Sequence, residues 1–270
     1  MKTTIKYLWI ITILIIVVPL MTVCNEHHSE DSTPTPGLEY TLISGPAYAV
    51  GIGTAKDVHI VIPATHNELP VTTIRGEGFR GSAILSVTIP NSITSIGGYA
   101  FAVCLGLTSL TIPNSVTSIG ESAFAGCSGL TSVSISNSIT TIGSGTFLNC
   151  TRLTSITIPN GVTSIGNYSF YNCTGLTSVT IPNSVTSIGE SAFNSCSGLT
   201  SITIPNSVTY IGNYSFSNCT GLTSVTFRGA APIQIYYGSN PFDGNLKDMW
   251  SVGGIGTYTR QLGSNVWIKQ

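Results

Sequence analysis

The residues with chemistry to offer recur at a fixed interval. Cysteine stands at 104, 127, 150, 173, 196 and 219. Hydroxyl residues recur beside it in two rows: Ser109, Ser132, Ser155, Ser178 and Ser201, then Thr111, Ser134, Thr157, Thr180 and Thr203. Six thiols could pair as disulfides, and aligned hydroxyls could hold a ligand by hydrogen bonds. A nucleophile or a metal needs more, namely a base or several further ligands close by. From residue 107 to 221 the only charged side chains are Glu121, Arg152 and Glu190, and histidine is absent. Paired carboxylates, a Ser/His/Asp set and a metal-ligand cluster have nothing to be built from there. We therefore expect no enzyme, no cofactor and no metal site.

The remaining candidates are as plain. His59 and His66 fall near the start of the folded region, and His27 and His28 lie in NEHHSEDSTPTPG (25–37), whose composition is that of a flexible tether. GESAF (120–124) lacks the last glycine of a nucleophile elbow, and GIGTAK (51–56) fits no phosphate-loop pattern. The sequons at Asn149, Asn167, Asn172, Asn213 and Asn218 arise from the repeat consensus itself.

Elements that could position these rows are set by the repeat. Units begin at Leu107, Leu130, Leu153, Leu176, Leu199 and Leu222, 23 residues apart, with an earlier one at Ile84. Phenylalanine keeps the same register at 101, 124, 147, 170, 193 and 216. Within 107–129, Leu110 and Ile112 alternate with Ser109 and Thr111, a strand with one face in and one out. Pro113 ends it and Asn114-Ser115 turns it. A second short extended piece, Val116 to Ile119, stops at Gly120, which we expect to take a positive φ. Glu121 to Cys127 then closes the coil as a helical or 3₁₀ turn. One such coil cannot bury its apolar face alone, so the coils must stack. Stacking puts each cysteine beside its copy with parallel Cβ vectors, which is wrong for a disulfide dihedral. The thiols are expected to be small buried hydrophobes. Residues 61–81 carry the same landmarks with an insertion, a degenerate first coil.

The unit L-x-x-L-x-I-P-x-x-V-x-x-I-G-x-x-A-F-x-x-C, running over about residues 60 to 227, resembles the 23-residue leucine-rich repeat of BspA-like bacterial surface proteins. The resemblance implies a leucine-rich-repeat solenoid: stacked coils, a parallel β-sheet on the concave face, short turns or helical pieces, and a β-rich C-terminal cap. It implies a secreted or surface-attached protein that binds protein ligands, such as an extracellular-matrix protein or the surface of a partner cell. Ser109, Thr111, Ser132, Ser134, Ser155, Thr157, Ser178, Thr180, Ser201 and Thr203 would line its binding face. A structural or antigenic surface protein is the alternative, and flat hydroxyl rows also suit an ice or crystal surface.

The ends of the chain complete the reading. Lys2 and Lys6 followed by the uncharged apolar run Tyr7 to Val23 form an export signal. Leu20-Met21-Thr22-Val23-Cys24 resembles a lipobox, making Cys24 the lipidation candidate of an outer-membrane lipoprotein; a cleaved signal or a retained anchor fits the same run. The membrane would be met only there. Lys+Arg 10 against Asp+Glu 11 offers no field for nucleic acid. The expected order is signal peptide 1–24, linker 25–37, N-terminal cap with degenerate repeat 38–83, regular repeats 84–227 and C-terminal cap 228–270. Phe227, Tyr236, Tyr237, Phe242, Trp250, Tyr258 and Trp267 would let that last segment cover the final coil, a carbohydrate or protein site being the alternative.

Overall fold

In the computed structural model, the structure describes residues 33–229, 240–246, 248 and 254–270. The apolar run, Cys24, His27, His28, Tyr236, Tyr237 and Trp250 lie outside the described residues. One compact unit runs from Thr33 to Gln270. It is a solenoid whose coils are joined along three columns.

The first column is the main sheet, made by the strands His59–Val61, Ser86–Thr88, Ser109–Thr111, Ser132–Ser134, Ser155–Thr157, Ser178–Thr180, Ser201–Ile204 and Ser224–Phe227. Their period-2 pattern sends Leu110, Ile156, Val179 and Ile202 inward and the flanking hydroxyls outward. Pairing is parallel and in register, but it runs in twos: 59–61 with 86–88, 109–111 with 132–134, 155–157 with 178–180, and 201–204 with 224–227. Proline ends most of these strands because it brings no N–H, and its carbonyl then closes a turn: Val116, Val162 and Val185 donate to Pro113, Pro159 and Pro182 at 3.0 to 3.1 Å. In the coil that has Ser136 instead, the Ser136 Oγ donates to the Val116 carbonyl at 2.6 Å.

The second column stacks the end of Leu69–Ile74 and the two-residue strands that end in Ile96, Ile119 and, in a further sheet, Ile142, Ile165, Ile188 and Ile211. From Ile96 onward a glycine follows each isoleucine of the column, though not for a positive φ as expected at Gly120. The expectation is corrected by the packing: successive glycines lie backbone to backbone, and a Cβ on Gly189 would sit 2.6 Å from the Asn167 nitrogen.

The third column replaces the expected helical turn. Two residues of each coil hold φ near +55 to +75°, Ser122 and Gly126 in one, Ser191 and Ser195 in another. The chain is thereby turned out of a helix. Alternate N–H groups donate to the next coil instead: Ser122 to Ser144, Phe124 to Thr146 and Gly126 to Leu148, at 2.7 to 3.0 Å. Inside this corner the phenylalanine rings stack from Phe79 through Phe101, Phe124, Phe147, Phe170, Phe193 and Phe216, nearly parallel at 5.0 to 5.6 Å. Phe242 adds one more ring at 4.9 Å.

Both ends are covered. Glu39–Ile43 and Ala47–Gly51 form a hairpin whose inner strand pairs with Leu69–Ile74 of the first coil. Thr35, within the segment expected to be a tether, is buried and accepts from the Val61 N–H at 2.7 Å. At the other end Ser224–Phe227 pairs antiparallel with Gly256–Thr259, and that strand with Ile268–Lys269. Phe227, Phe242, Tyr258 and Trp267 are core residues of this closure. Arg260 fixes it by donating to the Leu222 and Cys219 carbonyls at 2.6 and 2.9 Å while lying over the Trp267 ring.

Candidate functional site

The thiols are the first candidates to be placed. All six are free and buried. Each Sγ donates to a phenylalanine carbonyl of the preceding coil, as Cys127 does to Phe101 at 3.1 Å and Cys173 to Phe147 at 3.1 Å. Burial pushes Cys150 and Cys219 up to about 12 and holds Cys173 and Cys196 well above the ordinary thiol range. Such groups stay protonated at neutral pH and are inert. The histidines of the folded unit are engaged too: His66 stacks on Tyr40 at 3.8 Å, and His59 Nδ1 lies 2.8 Å from Ser86 Oγ. Among the described residues no group of three or more His, Cys, Asp or Glu is placed to hold a metal.

The hydroxyl rows are aligned as the repeat demands. Ser109 faces Ser132 and Thr111 faces Ser134; Ser155 faces Ser178 and Thr157 faces Thr180; Ser201 and Thr203 face Ser224 and Thr226. All ten named residues are exposed except Thr203, which is half-buried. Their neighbours behave differently. Thr131, Thr154 and Thr177 turn their hydroxyls onto the carbonyls of Thr108, Thr131 and Thr154 at 3.0 to 3.3 Å, and Thr117, Thr163, Thr186 and Thr209 do the same along the second column. The ten hydroxyls of the sheet face make no hydrogen bond within the described residues. Their donors and acceptors are left to water or a ligand.

The rows close at both ends. Ser86 is taken by His59, and Thr226 Oγ1 lies 2.9 Å from Thr257 Oγ1 of the terminal strands. Of these closing residues only His59 was singled out from the sequence, although Ser86 and Thr88 stand at the same offset from the proline as Ser109 and Thr111. Between Ser178–Thr180 and Ser201–Ile204, which belong to different hydrogen-bonded sheets, the face opens into a shallow groove of about 310 Å³. Ser178, Thr180, Ser201, Thr203, Asn183 and Arg228 are among its walls. Val179, Ile181, Ile202 and Pro205 make about half of its surface apolar, and Arg228 is its one cationic group. The arrangement can bind by hydrogen bonds across several coils.

Comparison with known proteins agrees with this geometry. A leucine-rich cell surface protein of Faecalibacterium prausnitzii has a solved structure similar to this one, with a TM-score of 0.67 and 37% identity over 73% of this chain and 54% of that one. Leucine-rich repeat proteins of Bacteroides ovatus (TM-score 0.52, 24% identity, 77% and 69% covered) and Eubacterium ventriosum (TM-score 0.56, 25% identity, 66% and 49% covered) share the fold. The chain thus spans about half the length of the F. prausnitzii protein. The curated proteins include no match. The leucine-rich repeat region of BspA type matches in six copies over residues 72–160 and 140–245. With its repeat, its stacked phenylalanine and cysteine columns and this match in hand, the chain belongs to the BspA-type leucine-rich repeat family.

Proposed function

We propose that this protein is a non-catalytic recognition protein, exported and held at the cell surface or released, that binds protein ligands through its main sheet in the manner of an adhesin. The ligand class is an extracellular-matrix protein or a protein on a partner cell. One observation carries the reading: ten outward hydroxyls, nine of them on exposed residues, stand in two registered rows and make no hydrogen bond among the described residues, while the threonines beside them do. A solenoid presents such rows as one extended surface, suited to a partner that lies across several coils. The F. prausnitzii relative, described as a cell surface protein, supports the location.

Binding of the full chain to immobilised fibronectin, to other matrix proteins and to whole cells tests it. Saturable binding should appear with at least one of them and fall at least tenfold in Ser155→Glu with Ser201→Glu, which set charges on the face. A folded protein that binds none of them saturably would point instead to a structural surface protein.

A further inference from the structure

The flank of the solenoid opposite in character to the sheet carries a second set of unusual residues. One of the two positive-φ positions of each coil falls two residues before the stacked phenylalanine. Three coils fill it with tyrosine: Tyr99, Tyr168 and Tyr214 have φ of 56, 55 and 57°. Glycine, as at Gly145, takes this conformation without strain, whereas a bulky side chain there costs of order 1 kcal/mol or more. The chain therefore holds aromatic rings at a conformationally unfavourable place. They are not held there by burial, since Tyr168 is 39% and Tyr214 49% exposed.

Charge collects on the same flank. Of the three charged residues between 107 and 221, two follow a tyrosine by one coil: the Tyr99 N–H donates to the Glu121 carbonyl, and the Tyr168 N–H to that of Glu190. Glu190 is the fuller case. Its coil lies between those of Tyr168 and Tyr214, its N–H donates to Asn167 Oδ1 at 2.9 Å, and its carboxylate accepts from the Tyr168 hydroxyl at 3.5 Å. The intervening coil has Ser191 at the position where these two have tyrosine. The phenylalanine column beneath them rises 5.1 Å and then 5.2 Å from Phe170 to Phe216. Tyr168 and Tyr214 are thus offset along the solenoid by two strand spacings, about 10 Å.

We propose that Tyr168, Glu190 and Tyr214 form a glycan-binding strip that takes an extended β-1,4-linked polysaccharide along the solenoid axis. The spacing is close to the disaccharide repeat of such a chain, so each ring meets an equivalent sugar face. Aromatic faces pack against the apolar C–H face of a pyranose, and the phenol and carboxylate supply polar partners for its hydroxyls. A compact α-linked helix would not keep both contacts.

Electrophoresis of the full chain through gels containing hydroxyethyl cellulose, with amylopectin gels as control, tests the strip. The protein should be retarded by the β-glucan alone. Tyr168→Gly and Tyr214→Gly relieve the backbone conformation and so keep the fold, yet each should weaken retardation at least tenfold; Glu190→Gln should weaken it about threefold, and Leu262→Ala, at an exposed position of the C-terminal segment, should leave it unchanged. Absence of retardation of the unaltered protein, or full retardation of the folded Tyr168→Gly, Tyr214→Gly double variant, would overturn the proposal.

Discussion

The sheet side and the turn side of each coil are built from the same repeat and held together in opposite ways. On the sheet side strands pair in twos, and the ten outward hydroxyls between Ser109 and Thr203 named above make no hydrogen bond among the described residues. On the turn side nothing is interrupted: rings stack from Phe79 to Phe242, and each thiol reaches back to the coil before it. Cohesion is thus concentrated where no ligand could reach, and the face that meets solvent is left loosely committed. The difference shows how near-identical coils can be both stable and available, by dividing the two tasks between edges of the same turn.

The largest effect expected from this division is a response to alkali. A thiol of the unfolded chain ionises near pH 8.5, while burial holds Cys150 and Cys219 up at about 12. The unfolded state then binds fewer protons than the folded one, so stability is full below about pH 8.5 and falls as pH rises toward 12, by up to about 1.4 kcal/mol per unit for each thiol. Urea midpoints at pH 7 and pH 10 should differ widely; equal midpoints would break the comparison. Next comes Phe147→Ala, which opens a gap in the middle of the ring column and should cost about 3 to 5 kcal/mol in chemical denaturation.

A smaller effect of opposite sign should follow at Val103, a β-branched residue with φ of 61° where other coils have Gly126 or Asn149. Val103→Gly is expected to stabilise by about 1 kcal/mol, read as a higher melting temperature. The smallest change belongs to the sheet face. Ser178→Ala with Thr180→Ala should alter stability by no more than about 0.5 kcal/mol. A loss as large as that of Phe147→Ala would show that the hydroxyl rows carry cohesion after all.

Much of this was legible in the residues. The interval, the inward Leu110 and Ile112, the ring column and the buried thiols follow from a pattern that side-chain hydrophobicity and strand geometry enforce. What was not legible depends on backbone paths. Gly120 reads as a positive-φ turn, whereas close approach of the neighbouring coil is what excludes a Cβ there, and the positive φ falls on Ser122. The closing segment reads as a helical turn, but its N–H groups find better partners one coil away. Thr131 and Ser132 are adjacent hydroxyls of similar chemistry; only the coordinates separate the one that ties two coils from the one that faces outward.

The regular steps of the ring column, 5.1 to 5.6 Å for each 23-residue coil, make the molecule a ruler. Every coil bonds chiefly to those directly before and after it, so duplication of one unit lengthens the column by one step and disturbs no distant contact. The length of the solenoid is therefore heritable in whole increments, adjustable by copying a segment and with no new core to invent.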